Sequence, residues 1–116
     1  MTELVACLSK ENQPHLTRLI AEQDWEKVIL ISDSTSKNDL KCEKKTEFII
    51  VDFKKPVSEA IIEIRAGLKQ KVTGIEVALN LVSGSGKEHM AIMSALLKLG
   101  ISFRFVAVTK DGVVEI

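Results

Sequence analysis

No charge of one sign prevails in this chain: 16 lysines and arginines balance 16 aspartates and glutamates over 116 residues. Proteins that grip nucleic acid by broad phosphate neutralisation need an excess of cations, so an extended duplex is not an expected partner. A local basic pocket stays open. Cysteine is scarce: Cys7 and Cys42 are too few for a disulfide framework and too isolated for a zinc site. Long apolar runs are missing too, none approaching the roughly 18 residues that cross a bilayer. Met1-Thr2-Glu3 lacks the basic segment that opens a signal peptide. These absences favour a reduced, cytoplasmic setting with no membrane partner. There is no internal repeat, low-complexity tract or linker, so residues 1–116 read as one domain. Its 46% apolar and 28% charged content suits a globular core.

What is present alternates. Leu4-Val5-Ala6-Cys7-Leu8 is a short continuous apolar run that suits a strand buried on both faces. Asn12 and Pro14 then start a helix that carries His15, Leu16, Leu19 and Ile20 to about Gln23. The β-branched stretch Lys27–Ser32 is a second strand, with Trp25 anchoring the turn before it. Asp33 to Glu47 is polar and mixed in charge, with one helical turn expected around Asp39–Lys44. Phe48–Val51 is a third strand. A helix opened by Pro56 places Val57, Ala60, Ile61, Ile64 and Leu68 on one face. Ile75–Val82 is a fourth strand, Glu88–Leu99 a helix closed by Gly100, and Ser102–Thr109 a fifth strand. Asp111-Gly112 signals a two-residue hairpin into Val113–Ile116. The order implies an α/β, Rossmann-like, mainly parallel sheet with helices on both faces and a C-terminal antiparallel strand.

In such sheets ligands bind beyond the carboxyl ends of the strands. Ser9-Lys10, Ser32-Asp33, Lys54-Lys55 and Ser83-Gly84-Ser85-Gly86-Lys87 all emerge there. The last stretch is the most informative. Two glycines let the backbone approach a ligand, hydroxyls and free N–H groups at a helix start cradle an anion, and Lys87 adds a full charge. Ser85 and Glu88 also match a capping box, which requires no ligand at all. Two better-known phosphate motifs fail. A P-loop needs glycine where Leu81 stands and a hydroxyl where Glu88 stands. A dinucleotide fingerprint needs glycines after the first strand, and Cys7 to Pro14 has none. No cofactor is implied. His15 and His89 lack carboxylates at ligand spacing, so no metal is expected either. Asp33 reads as a turn residue, Cys7 as a small buried hydrophobe, Met90 and Met93 as core, and Lys37–Lys45 as a solvated loop. His89 lies close to the cradle in the first turn of its helix.

The stretch Asn80-Leu81-Val82-Ser83-Gly84-Ser85-Gly86-Lys87-Glu88-His89-Met90-Ala91 resembles the strand-four motif of the CRISPR-associated Rossmann fold (CARF) family. That motif joins an Asn on the strand, a hydroxyl- and glycine-rich turn, a basic residue, and Met and Ala in the following helix. The resemblance implies a homodimer whose two glycine loops bind a cyclic oligoadenylate, a nucleotide messenger of antiviral defence. A symmetric ring suits a symmetric two-chain site. It also implies ligand-binding roles for Ser9, Lys10, Asn80, Ser83, Gly84, Ser85, Gly86, Lys87 and His89. With the sequence ending at Ile116, no attached effector is expected, which leaves a stand-alone sensor or a metal-independent ring nuclease. In the nuclease, a ribose 2′-OH attacks the adjacent phosphate to leave a 2′,3′-cyclic phosphate. Lys87 would stabilise charge, and Ser9 and Lys10 would orient the phosphodiester. Binding is favoured over turnover. Two alternatives remain: an interaction module of the same fold without a small ligand, and a small enzyme acting on a mononucleotide or another phosphate ester. Whether residues 33–47 cover the site is left open.

Overall fold

The computed structural model describes residues 2–33 and 46–116. In chain order the elements are β1 (Glu3–Leu8), α1 (Gln13–Glu22), β2 (Lys27–Ser32), β3 (Thr46–Ile50), α2 (Val57–Lys71), β4 (Glu76–Asn80), α3 (Gly86–Lys98), β5 (Ser102–Thr109) and β6 (Gly112–Glu115). They form a six-stranded sheet ordered β3-β2-β1-β4-β5-β6. Strands β1 to β5 run parallel, and β6 returns antiparallel to β5. This is the expected Rossmann-like α/β architecture. The helical turn anticipated near Asp39–Lys44, the covering role considered for 33–47, and Cys42 concern positions 34–45, which lie outside the described residues.

The two central strands carry the unbroken apolar runs Leu4–Leu8 in β1 and Val77–Leu79 in β4, because both of their faces are covered. Period-two alternation then divides the core into two. Val5, Cys7, Ile29, Ile31, Val77 and Leu79 pack beneath α2 and α3 with Ala60, Ile64, Leu68, Ala91, Ile92, Ala95 and Leu96. Leu4, Ala6, Leu8, Val28, Leu30 and Ala78 face the other way, onto Leu16, Leu19, Ile20 and Trp25. Trp25 anchors as expected, its indole N–H donating to the Leu19 carbonyl at 2.9 Å. Gly100 also closes α3 as expected. It takes φ 71°, and the N–H groups of Gly100 and Ile101 return to the Leu97 and Leu96 carbonyls in the double bond of a Schellman end.

Local details depart from the sequence reading where a neighbour outcompetes a local preference. Asn12 precedes α1 in the left-handed region, φ 58°, and makes no cap; its amide reaches across to the Val82 carbonyl at 3.0 Å instead. α3 begins at Gly86, two residues before the expected start, because Ser85 is its N-cap and accepts from Glu88 N–H. The hairpin turn sits one residue earlier than Asp111-Gly112. Thr109 pairs with Gly112, and Gly112 carries the positive φ of 98°, so Lys110 and Asp111 make the turn. No helix among the described residues is long and apolar enough to cross a membrane.

Candidate functional site

Strand order reverses between β1 and β4, because β2 follows β1 on one side and β4 lies on the other. The loops leaving β1 and β4 therefore diverge over opposite faces and open a crevice, the place where doubly wound sheets bind ligands. A cleft of about 360 Å³ lies there, lined by Ser9, Lys10, Glu11, Asp33, Gly84, Ser85 and Glu88. The structure thus brings together the loops after β1, β2 and β4.

Ser83 ties two of those loops together. It is buried, accepts from the Ser9 N–H at 2.8 Å and donates to the Glu11 carbonyl at 2.6 Å. Its own hydrogen is therefore committed, so the 2.9 Å contact with Ser9 must be donated by the Ser9 hydroxyl. That Ser9 hydroxyl also accepts from the Glu11 N–H at 3.2 Å. Ser9 and Ser83 accordingly form a closed brace under the cleft, with no hydroxyl hydrogen left for a ligand in this arrangement.

The turn that follows is shaped by close approach. Gly84 has φ 101°, and a Cβ there would lie 2.6 Å from the Cys7 sulfur and 2.7 Å from a Glu88 carboxylate oxygen. Beneath it the Cys7 thiol donates to Glu88 at 3.2 Å. Burial pushes that thiol well above its ordinary range, with the Glu88 hydrogen bond, the Glu88 charge and the Asp33 charge adding to the effect. Cys7 is a neutral thiol, as its reading as a small hydrophobe requires. Of the anticipated capping box one half forms: Ser85 Oγ accepts from the Glu88 N–H at 3.5 Å, while the Glu88 carboxylate accepts from the Ser85 hydroxyl at 3.3 Å rather than from its N–H, and Ser85 also lines the cleft. Among the described residues, the backbone N–H groups of Gly84, Ser85, Gly86 and Lys87 have no protein acceptor. They open toward solvent at the positive end of the α3 dipole.

Other anticipated residues lie elsewhere. Lys87 does not line the cleft: its ammonium donates to the Phe53 and Lys55 carbonyls at 2.7 and 2.6 Å, clasping the turn between β3 and α2. Asn80 is buried, its amide spent on Val106, His15 and Val82. The ring of His89 bonds the Ser83 carbonyl at 2.8 Å, supporting the turn from behind. Lys54 and Lys55 line no part of the cleft. Conversely, the sequence reading did not single out Glu11, and took Asp33 as a turn residue and Glu88 as a cap. They give the cleft three carboxylates against the one lysine, Lys10. For Asp33 the signal was already available, since it ends β2 beside the switch point. Among the described residues no cluster of histidine, cysteine and carboxylate side chains could hold a metal ion.

No protein-family model matches the chain, and no curated protein matches it.

Proposed function

We propose that this chain is a nucleotide-binding domain of the CARF type, receiving a cyclic oligoadenylate across a pairing of two copies. The observation that carries this reading is the switch-point cleft, whose lining joins Lys10 to Gly84 and Ser85, two residues of the turn whose backbone N–H groups have no protein acceptor. Backbone donors at a helix start, with one lysine, suit phosphate oxygens. An acid just after a second strand suits ribose hydroxyls, so Asp33 favours a nucleoside-bearing ligand over a bare phosphate. Gly86 adds to the argument. It has no positive φ and nothing within 4 Å of a would-be Cβ, so the fold does not demand glycine there. A ligand lying over the start of α3 would.

The pairing has its own support. Met90, expected in the core, instead lies on the outer face of α3 with Leu97 seven residues on, the two being 61% and 68% exposed. Phe105 follows Phe103 on the sheet face that α3 partly covers, and Ile116, bonded to the Phe105 carbonyl, extends that face. An apolar surface of this kind is what an isologous dimer buries. Binding without turnover is the reading favoured here. The Ser9 hydroxyl and the Lys87 ammonium, the groups assigned to ring cleavage, are both held by other parts of the chain.

Cyclic tetra- and hexa-adenylate, with adenosine monophosphate and inorganic phosphate as controls, would be added to the purified chain while thermal shift and product release are followed. Micromolar binding gives about 2.7 kcal/mol of stabilisation at a hundredfold ligand excess. A shift with a ring, lost in Lys10→Ala, supports the proposal, and linear products would add cleavage to it. A shift with the mononucleotide alone would favour the small-enzyme reading, and no shift at all the interaction module. Light scattering should show a dimer that Leu97→Glu reduces to a monomer. A wild-type chain that stays monomeric with the ring bound would remove the two-copy site.

A further inference from the structure

Asn80 and His15 together hold the loop between β4 and α3 from below, and their hydrogen-bond directions follow from their partners. The Val82 N–H can only donate, so the atom 3.2 Å away is the Asn80 carbonyl oxygen. The Val106 carbonyl can only accept, so the Asn80 NH₂ faces it at 2.9 Å. The second hydrogen of that NH₂ then points at His15 Nε2, 3.2 Å away, and the Val108 N–H points at the same nitrogen from 3.5 Å. Two donors converge on Nε2. It must be the unprotonated nitrogen of a neutral ring, with the hydrogen on Nδ1.

We propose that His15 and Asn80 are positioning residues forming a proton-sensitive brace, which sets the β4–α3 loop when His15 is neutral and releases it when Nε2 takes a proton. A protonated ring would present N–H to N–H across the 3.2 Å contact. Either the carboxamide of Asn80 turns or the ring withdraws. Turning removes the acceptor of the Val82 N–H; withdrawal draws on the first turn of α1. That turn is fastened to the same loop a second time, through the Asn12 amide on the Val82 carbonyl at 3.0 Å. Either response therefore reaches Val82, two residues before Gly84 at the cleft. The brace operates whether or not the cleft takes a nucleotide.

Among the described residues, most of the charged groups around His15 are engaged with partners of their own. On α1 and its approach these are Glu11 and Arg18, and Arg18 pairs with Glu22. From the sheet, Arg104 and Glu115 share the α1 face with Val106, and Glu76 shares it with Ala78 and Asn80. They join one another at 3.5 and 3.7 Å. Lys110 and Asp111 belong to the hairpin turn, and Glu3 on β1 is engaged with Thr73 and Gly74.

The test is a nitrogen-15 NMR titration of the intact chain from mildly alkaline to mildly acidic pH. At the alkaline end the His15 ring should show the Nδ1–H tautomer, read directly from its two nitrogen shifts. On acidification the Asn80 side-chain NH₂ and the Val82 amide should move with the same midpoint as the His15 ring. In His15→Gln, whose side-chain oxygen can accept without titrating, the Val82 movement should vanish while the rest of the spectrum is retained. An Nε2–H tautomer at the alkaline end overturns the proposal, even if His15→Gln fails to fold. So does a Val82 signal that stays still while His15 titrates, or one that titrates equally in His15→Gln.

Discussion

Gly84 and Gly86 stand two residues apart in one turn, yet replacing each by alanine should move stability in opposite directions. At Gly84 the backbone φ of 101° lies where an L side chain is strained, at about 1–2 kcal/mol. The added methyl would also meet the Cys7 sulfur at 2.6 Å and the Glu88 carboxylate at 2.7 Å, both fixed by the hydrogen bond between them. Overpacking of this sort costs about 1–3 kcal/mol more. Gly84→Ala should therefore lose about 2–5 kcal/mol in all. At about 4 °C per kcal/mol for a domain of this size, the melting temperature should fall by roughly 10 °C or more. Gly86 has neither restriction, and alanine there restrains the unfolded chain and favours the helix, for a gain of up to about 0.5–1 kcal/mol. Urea denaturation of the two variants beside the wild type reads both numbers. A Gly84→Ala variant within about 0.5 kcal/mol of wild type would refute the geometry given for the turn, since surface substitutions behave that way. In a ligand titration Gly86→Ala should bind more weakly although it folds more stably. Unchanged affinity would leave the glycine without a ligand to explain it.

Two other consequences are open to measurement. The Cys7 thiol is raised mainly by burial, so above its ordinary value the unfolded chain ionises while the folded chain does not. Stability should be full below that value and fall as pH rises beyond it, by about 1.4 kcal/mol per pH unit. Cys7→Ala should remove that part of the slope, and an unchanged slope would contradict the buried neutral thiol. At the opposite end of the sheet, the buried Glu3 carboxylate accepts from the Thr73 N–H, the Thr73 hydroxyl and the Gly74 N–H. Glu3→Gln replaces one acceptor oxygen with a donor and should cost about 1–3 kcal/mol in chemical denaturation, against little effect from a surface Glu→Gln such as Glu26.

The sheet was legible because its signals are local. β-branched runs, one amphipathic helix face and Gly100 each speak for their own element, and the alternation of strand and helix then restricts the topology. Positions of turn and cap were less so, as Asn12 illustrates: its amide serves Val82, seventy residues away, rather than the helix it precedes. At the site, Ser9, Lys10, Gly84 and Ser85 converge as the motif suggested, since strand ends place them. Lys87 does not line the cleft with them, although it belongs to the same stretch. A lysine side chain is long enough to choose among neighbours, and the carbonyls of Phe53 and Lys55 come from a turn whose closeness only the packing of α2 against α3 determines. Asn80 reads as a polar side chain awaiting a ligand until β5 and α1 are placed around it. The carboxylates of the cleft were hidden for a related reason: each has a plain local role, and only the fold adds them together.

The grip of Lys87 on two carbonyls bears on discrimination. A lysine already satisfied by neutral oxygens can be recruited only by a ligand that offers it more than they do. A single phosphate at the rim competes poorly with two short contacts, whereas several linked phosphates passing over the start of α3 present more negative charge at once. Lys87 would then act as a threshold, ignoring monovalent metabolites and answering to polyanions. Once drawn away, it would leave the Phe53 and Lys55 carbonyls to water and release its clasp on the turn leading into α2. Occupancy of the cleft would in this way be felt at the start of α2, a helix that does not line it.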